Sequence, residues 1–187
     1  VGISRDSYEK TYSGTAKYKL FKQSDRVPVN VSLYGSADMN SQFKKSVYPG
    51  LKTSDRFSYT AQILSSRSFS EKLSLEVAPI FVRHNLQDLN FTKTLTHNQL
   101  LFGMGGRYKL SKRLSLNMDY AYNFSKNKNS LYKNPLTIGV DIETGGHVFQ
   151  LLFTNSRASN DSSFLTETTG DWSKGEISFG FNIVRVF

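Results

Sequence analysis

Charged side chains recur at alternate positions within apolar segments of this 187-residue chain, and they are the residues best suited to chemistry. Fixed charges of both signs that line a passage discriminate between solutes. The same charges can instead cross-link one another and fill a narrow interior, so both interpretations stay open. The inward-facing candidates are Lys17, Lys19, Asp38, Arg56, Glu76, Arg107, Lys109, Asp119, Asp141 and Glu143.

One contact among these residues follows from a short turn. If residues 111–113 connect two antiparallel strands, Arg107 lies opposite Asn117 and diagonal to Asp119. A diagonal neighbour on one face of a sheet is within reach of a long side chain. We therefore expect Arg107 to lie within reach of Asp119.

Other chemistries lack a recognisable set of residues. His84, His97 and His147 stand apart, with no carboxylate or second histidine at ligand spacing, so we predict no metal site. A serine hydrolase needs a serine and a histidine on one patch with a third, orienting group, and the many serines do not reveal one. Residues 103–106 lack the lysine and the serine or threonine of a phosphate-binding loop. We predict no catalytic residue, no cofactor and no enzymatic activity.

The elements that carry the charged residues have a two-residue period. Apolar residues alternate with polar or small ones over segments of about 9 to 13 residues, joined by connections that are alternately short and long. In residues 10–21, Tyr12 and Tyr18 occupy one face and Lys17 and Lys19 the other. The mean hydropathy is -0.41, and no apolar run approaches the roughly 20 residues of a membrane helix. The pattern predicts an all-β fold over residues 1–187, a single transmembrane, antiparallel up-and-down β-barrel domain.

The connection at Gly145 and Gly146 tests the strand register. Two glycines supply the positive φ angles that a primed two-residue hairpin turn requires. A slip by one residue would turn every apolar side chain inward. The predicted pairs are Ile142 with Phe149, Val140 with Leu151 and Ile138 with Phe153 outside, and Asp141 with Gln150 and Thr137 with Thr154 inside.

The last segment, residues 176–187, alternates strictly and ends in Phe187, which is typical of outer-membrane β-barrels. In a bilayer only a closed barrel satisfies both edges of such strands. We count about nine strands and a stub at Val1, and the sequence begins without a signal peptide. We therefore expect a signal peptide and the first strands to precede Val1.

Apolar residues on the outer face should contact lipid, with aromatic residues gathered at the two bilayer interfaces. The predicted lipid-facing residues are Leu33, Val77, Phe102, Leu116, Val140, Leu151 and Phe181. The predicted aromatic girdles are Tyr12, Tyr59, Tyr122 and Phe124 at one interface and Tyr18, Tyr108 and Phe187 at the other.

Three segments are distinctive: G-M-G-G-R-Y-K-L-S-K-R-L-S-L-N at 103–117, D-I-E-T-G-G-H-V-F-Q-L-L-F-T-N-S at 141–156 and T-E-T-T-G-D-W-S-K-G-E-I-S-F-G-F-N-I-V-R-V-F at 166–187. Together with a looser match at 8–21, they resemble a family of outer-membrane β-barrel proteins from Bacteroidota that has no established activity. The resemblance implies a signal peptide and further strands, so that this chain is the C-terminal part of a barrel of about 12 strands. It assigns no functional residue.

Basic residues outnumber acidic ones by 24 to 15, which gives a net charge of +9. They are spread over predicted loops and strand ends, so solvation or contact with anionic lipopolysaccharide explains them better than nucleic acid. We expect outer-membrane lipid, lipopolysaccharide and other envelope proteins as partners, and no nucleic acid. The loop cations are Lys44, Lys45, Lys52, Lys93, Lys126, Lys128 and Lys133.

Residues 157–175 form a loop of about 19 residues, longer than a hairpin needs. The loop carries two aromatic anchors, Phe164 and Trp172, and two carboxylates, Glu167 and Asp171. One interpretation is that it folds over or into the barrel mouth, where its carboxylates meet cations and it governs access. The other is a solvated extracellular loop in which Trp172 starts the last strand at the interface.

The predicted function is that of an outer-membrane barrel, either a pore for the passive passage of small solutes or a structural subunit of a larger envelope complex. The alternative is a soluble, lipocalin-like barrel that binds an apolar ligand inside. That alternative requires the apolar strand faces to point inward.

Overall fold

The computed structural model describes residues 1–46, 48–86, 97–126 and 130–185. Two 3-10 helices, Thr53–Arg56 and Trp172–Lys174, precede β4 and β10, and none of the described helices has the length and apolar character to cross a membrane. The other elements, in chain order, are β1 (Gly2–Asp6), β2 (Thr11–Phe21), β3 (Asn30–Asn40), β4 (Phe57–Ser68), β5 (Leu73–His84), β6 (Asn98–Lys109), β7 (Leu114–Asn123), β8 (Leu136–Thr144), β9 (His147–Thr154), α1 (Asp161–Thr166) and β10 (Ser178–Arg185).

The ten strands form one antiparallel sheet in which each strand pairs with its neighbour in sequence, from β1 to β10. The short helix α1 contacts β3, β4, β5 and β7. Because β3 and β7 are four places apart in the sheet, one short helix touches both only if the sheet curves around it. The predicted all-β, up-and-down order is confirmed, and the concave side of the sheet encloses α1.

The two ends of the sheet differ in their connections. At the end that we call the turn side, residues 22–29, 69–72, 110–113 and 145–146 join consecutive strands. At the opposite end, the loop side, the connections after β3, β5, β7 and β9 are longer. From β2 to β10 short and long connections therefore alternate, as the sequence pattern predicts, whereas the connection between β1 and β2, residues 7–10, is short and lies on the loop side.

The hairpin between β8 and β9 confirms the predicted register. Gly145 and Gly146 have φ angles of 55° and 144°, which residues with a side chain rarely adopt. The turn pairs Ile142 with Phe149 and Asp141 with Gln150, and the remaining pairs follow in step. The hydrophobic alternation and the turn chemistry thus select the same pairing.

The convex face of the sheet is apolar. Four residues predicted to face lipid are 41 to 51% exposed, namely Leu33, Val77, Leu116 and Phe181. Three others are half-buried on the same face beside cross-strand neighbours, namely Phe102, Val140 and Leu151. The described girdle residues are exposed as well: Tyr12, Tyr18, Tyr59, Tyr108, Tyr122 and Phe124. The lipocalin-like alternative is wrong, because the apolar strand faces point outward.

A small apolar core lies on the concave side, where the sequence pattern predicts polar or small residues. Val82 is 0% exposed. In β5 and β6 apolar residues occupy both faces, so the sequence pattern does not show which of them point inward. The core residues are Ala78, Ile80, Val82, Leu101, Ala121 and Leu165.

Some predictions fall outside the described residues. Phe187, Lys93 and Lys128 are among them. The last described strand, β10, ends at Arg185.

Candidate functional site

The residues between β9 and β10 enter the concave side of the sheet, and we call residues 157–175 the plug segment. Its sequence starts a helix locally, because the side chain of Asn160 accepts a hydrogen bond from the amide of Ser163 at 3.0 Å and caps α1. The helix ends at Glu167, whose amide donates to the carbonyl of Ser163. The result is a single short helix with one apolar side.

Leu165 anchors this helix to the wall. It is 6% exposed and packs in the core formed by inward residues of β5, β6 and β7, with Phe164 partly buried against the same cluster. Burial of a leucine side chain contributes roughly 1.5 to 3 kcal/mol. The predicted anchor Phe164 is thus in place, whereas Leu165, which the sequence analysis did not single out, is the more buried of the two.

Carboxylates from the wall hold the start of the plug segment. Asp6 Oδ2 accepts hydrogen bonds from the amides of Ser159 at 2.6 Å and Asn160 at 3.3 Å. Asp38 Oδ2 accepts from the amide of Ser162 at 3.2 Å. Hydrogen bonds to charged groups contribute about 1.5 to 3 kcal/mol each. Asp38 was predicted to face inward, and Asp6 was missed because the pattern of the short first strand is not informative.

Asp161 makes the next contact with the wall. The hydroxyl of Tyr34 on β3 donates a hydrogen bond to Asp161 Oδ2. Burial raises the pKa of Asp161 above its ordinary value, and the bond from Tyr34 acts in the opposite direction. The plug segment therefore carries a titratable group where it contacts β3.

His84 connects two strands with the end of α1. Ser58 Oγ lies 2.9 Å from His84 Nδ1, and Thr166 Oγ1 lies 2.8 Å from His84 Nε2. Thr166 donates its only hydroxyl hydrogen to the carbonyl of Ser162, so Nε2 donates to Thr166 and Nδ1 accepts from Ser58. The nearest carboxylate oxygen, on Glu167, is 3.8 Å from the same Nδ1 that Ser58 occupies.

This histidine arrangement differs from that of a hydrolase. In a catalytic triad the acid and the nucleophile bind opposite ring nitrogens, so that the acid orients the base. Here Ser58 and Glu167 share Nδ1, and Thr166 already donates its hydrogen to a carbonyl. The contacts of His84 tie α1 to β4 and β5.

The end of the plug segment meets the rim. Asp171 Oδ2 lies 3.4 Å from Lys133 Nζ, and the indole of Trp172 donates to the carbonyl of Leu136 at 3.1 Å. Hydrogen bonds from Ser173, with Lys133 beside them, hold the pKa of Asp171 below its ordinary value. The structure therefore places the segment inside the mouth, and the solvated-loop interpretation is wrong.

The remaining charged candidates lie on inner positions below α1, toward the turn side. Arg107 is opposite Asn117, as expected, but its guanidinium bonds Glu143 Oε1 at 2.6 Å. Asn117 on β7 and Gly139 on β8 lie at the level of Arg107, and the arginine side chain reaches across β7 to Glu143 on β8. Arg107 thus forms its ion pair with Glu143 and not with Asp119, the neighbour predicted from the sequence. The other inner positions are occupied by Lys17, Lys19, Glu76, Lys109 and Asp141.

Space remains around these charges. A cavity of about 140 Å³ lies directly beneath α1, with Glu76, Asp119 and Leu165 in its wall. A second, of about 470 Å³, extends past Asp119, Asp141 and Phe164. Asp141 accepts a hydrogen bond from Gln150 at 3.0 Å. The turn-side interior therefore contains charged groups and unfilled space, bounded by both polar and apolar side chains.

Among the described residues, no group of three or more histidine, aspartate and glutamate side chains is arranged so that it could hold a metal ion. His97 Nδ1 lies against the carbonyl of His84 at 2.8 Å, and His147 stacks near Phe149 on the convex face. Of the loop cations, Lys44, Lys45 and Lys52 are exposed, and Lys126 bonds Asn134 at 3.2 Å.

Comparison with known proteins adds one match. A family model described as "Membrane bound beta barrel domain (DUF5777)" matches residues 1–187. No curated protein and no solved structure matches the chain.

Proposed function

Because the chain belongs to the family of membrane bound beta barrel domains, we propose that it is an outer-membrane barrel that passes small hydrophilic solutes when its plug segment leaves the interior. We call the arrangement in the structure, with α1 against the concave face, the closed form. In this form α1 obstructs the loop side. The charged residues of the turn side then lie on the route that a solute takes once the helix has moved.

This proposal rests on one contrast. The helix α1 fills the loop-side end of the concave face, whereas the space beneath it is partly empty. Cavities of about 140 and 470 Å³ lie below α1. Charged and amide side chains, among them Glu76, Asp119, Asp141 and Gln150, lie in their walls beside apolar residues, and such groups interact well with water and with hydrophilic solutes. A barrel used only as an anchor has no need of charged groups around unfilled space.

The attachments of the plug segment suit a movable element. Leu165 and Phe164 pack in the small apolar cluster, hydrogen bonds to Asp6, Asp38, Tyr34 and His84 hold α1, and Asp171 and Trp172 attach the end of the segment to the rim. When the whole segment leaves, water reaches the groups that separate, so breaking these hydrogen bonds costs less than removing one partner while the other stays buried. The segment is joined to β9 and β10 at both ends and can return.

We further propose that the loop side faces outward from a bacterial outer membrane. The resemblance to Bacteroidota barrels supports this assignment, and so does the rule that long loops lie outside and short turns in the periplasm. Exposed Lys44, Lys45 and Lys52 on a loop-side connection would then meet the phosphates of lipopolysaccharide.

Conductance of the purified full-length protein in planar bilayers tests the proposal. Deletion of residues 159–169 should turn brief or rare openings into steady conductance, because α1 and its main attachments are removed. A cysteine pair, Leu165→Cys with Ala121→Cys, should silence the channel when oxidised and restore openings when reduced. The chain has no cysteine of its own, and the two single-cysteine variants serve as controls.

A structural subunit of a larger envelope complex is the second candidate. The observation that favours it is the buried Leu165, which gives the closed form a true apolar core. Absence of conductance both in the full-length protein and after the deletion, together with co-purification of fixed partners, would favour this function over passage.

A further inference from the structure

A third cavity, of about 320 Å³, lies beside the start of α1 at the loop-side end of the concave face. The strands β3, β4 and β5 and the connections above them form its wall. Four carboxylates face one guanidinium and one imidazole, so the wall is acidic in a chain whose net charge is +9. These six residues are Glu9, Asp38, Asp55, Glu167, Arg56 and His84.

Asp38 presents an unused acceptor to this cavity. It is 1% exposed, and its Oδ2 accepts from the amide of Ser162 at 3.2 Å. Among the described residues, its Oδ1 has no hydrogen-bond partner. A buried carboxylate oxygen without a partner is unfavourable, so a ligand that donates to Oδ1 relieves this cost when it binds.

Arg56 presents a donor to the same cavity. It ends the 3-10 helix that precedes β4, two residues before Ser58, and Ser58 pairs with Asp38 across the sheet. Arg56 Nε is buried and likewise has no partner within the described part of the chain. The two side chains form no ion pair there, so each carries an unused hydrogen-bonding group in the wall of the cavity.

Asp38 Oδ1 can accept a hydrogen bond and Arg56 Nε can donate one. This combination favours some classes of ligand over others. A hydroxyl group donates one hydrogen bond and accepts others, so a pair of neighbouring hydroxyls satisfies both Asp38 Oδ1 and Arg56 Nε. An ammonium group satisfies only the carboxylate, because it has no acceptor for the arginine. An anion meets the repulsion of four carboxylates. A neutral polyhydroxylated molecule fits both requirements.

Aromatic and amide groups complete the wall. Phe43 and Tyr48 pack edge to face with their ring centroids 6.4 Å apart, and both line the cavity. They offer apolar surface to the C–H side of a sugar ring. Asn40 and Gln42 add amide groups that can bind further hydroxyls. Apolar walls with a few placed polar groups are typical of small-molecule sites.

We propose that this cavity binds a neutral sugar, either a monosaccharide or the terminal unit of an oligosaccharide. Asp38 Oδ1 accepts a hydrogen bond from one ring hydroxyl, and Arg56 Nε donates to its neighbour. Phe43 and Tyr48 cover one side of the ring. The ligand enters from the loop side, so binding does not depend on whether the interior conducts.

Calorimetric titration of the full-length protein tests this site, in a detergent that has no sugar headgroup. Glucose and maltose are the neutral probes, and putrescine is the cationic one. Asp38→Asn should weaken sugar binding about tenfold or more, because the amide oxygen can keep the bond from Ser162 while an NH2 group replaces the acceptor that faces the cavity. Asp141→Asn is the matched control, since Asp141 is also a buried, inward aspartate but lies on the turn side.

A second variant keeps the test decisive if Asp38→Asn does not fold. Arg56→Lys retains the positive charge but removes the Nε donor, and it should also weaken glucose and maltose binding severalfold. Loss of binding in these variants with unchanged binding in Asp141→Asn supports the proposal. Binding of putrescine in preference to both sugars, no heat of binding for either sugar, or equal affinity in all variants overturns it.

Discussion

The loop-side and turn-side halves of the interior are built from the same strands, yet they are organised differently. On the loop side, buried carboxylates such as Asp6 and Asp38 receive hydrogen bonds from amides of the plug segment. On the turn side, Arg107 and Glu143 form an ion pair with side chains 38% and 39% exposed. A charge in the first half is satisfied by the backbone of the plug segment, whereas in the second half side chains of the wall pair with one another, as Arg107 does with Glu143 and Asp141 with Gln150.

This difference predicts which half of the interior determines the stability of the protein and which half determines its selectivity for solutes. A buried polar contact is costly to break, because the partner left behind has no water to replace it. A half-exposed ion pair contributes little, because solvent screens it. Substitutions on the loop side should therefore change folding and closure, whereas those on the turn side should change which solutes pass.

The largest effect should follow from Leu165→Ala. Removal of a buried leucine from a small core costs about 2 to 5 kcal/mol of unfolding free energy. Denaturant unfolding in detergent micelles, followed by circular dichroism, measures it. Leu131→Ala, the same change at a leucine that is 77% exposed, should stay within about 0.5 kcal/mol of the parent protein. Equal effects of the two variants would contradict the placement of α1.

Asp6→Ala should come next. The carboxylate accepts bonds from two amides of the plug segment, so its loss should cost roughly 2 to 3 kcal/mol and increase the open probability of single channels. Asp25→Ala, an aspartate in an exposed turn-side connection, is the control. An unchanged open probability in Asp6→Ala would mean that this tether does not hold the segment closed.

Arg107→Ala should have a smaller effect on stability, within about 1 kcal/mol, because the ion pair with Glu143 is half exposed. A double-mutant cycle with Glu143→Ala isolates the interaction. The same variant should shift the ratio of anion to cation permeability measured under a salt gradient. A loss of several kcal/mol here would erase the contrast between the two halves.

The smallest expected effect is the contribution of Asp161 to the pH dependence of stability. Burial raises the pKa of Asp161 above 3.8, so the folded form holds this proton more tightly than the unfolded chain does. The associated stability is present at low pH and is lost as the pH rises from 3.8 through the raised value. In the Asp161→Asn variant, the midpoint of unfolding should change less across that pH window than it does in the parent protein. An identical pH profile in both proteins would refute this contribution.

Much of the fold follows from local rules. Alternation over each strand assigns one face outward, since successive residues of a strand point to opposite sides, and Gly145–Gly146 selects the register of its hairpin. Leu33, Leu116 and Phe181 accordingly lie on the convex face. The inward apolar residues Ile80, Val82 and Leu101 escape this reasoning, because segments with apolar residues on both faces carry no alternation signal.

The candidate site follows from the sequence only in part. The unusual length of residues 157–175 and the aromatic and acidic residues within them indicate a segment that can fold into the mouth. They do not indicate which residues receive it. Arg107 was expected within reach of Asp119 on the adjacent strand, but its guanidinium bonds Glu143 two strands away, a partner that no local spacing indicates.

The sequence by itself determined the strand faces, the hairpin registers and the outward apolar surface, because these depend on neighbours within a few residues. Only the tertiary structure decided what fills the interior. Ser159 meets Asp6 across 153 positions of the chain, and Ser162 meets Asp38 across 124. No local pattern encodes contacts of that separation. They arise because the curved sheet brings its first strands, its middle strands and the plug segment around one axis.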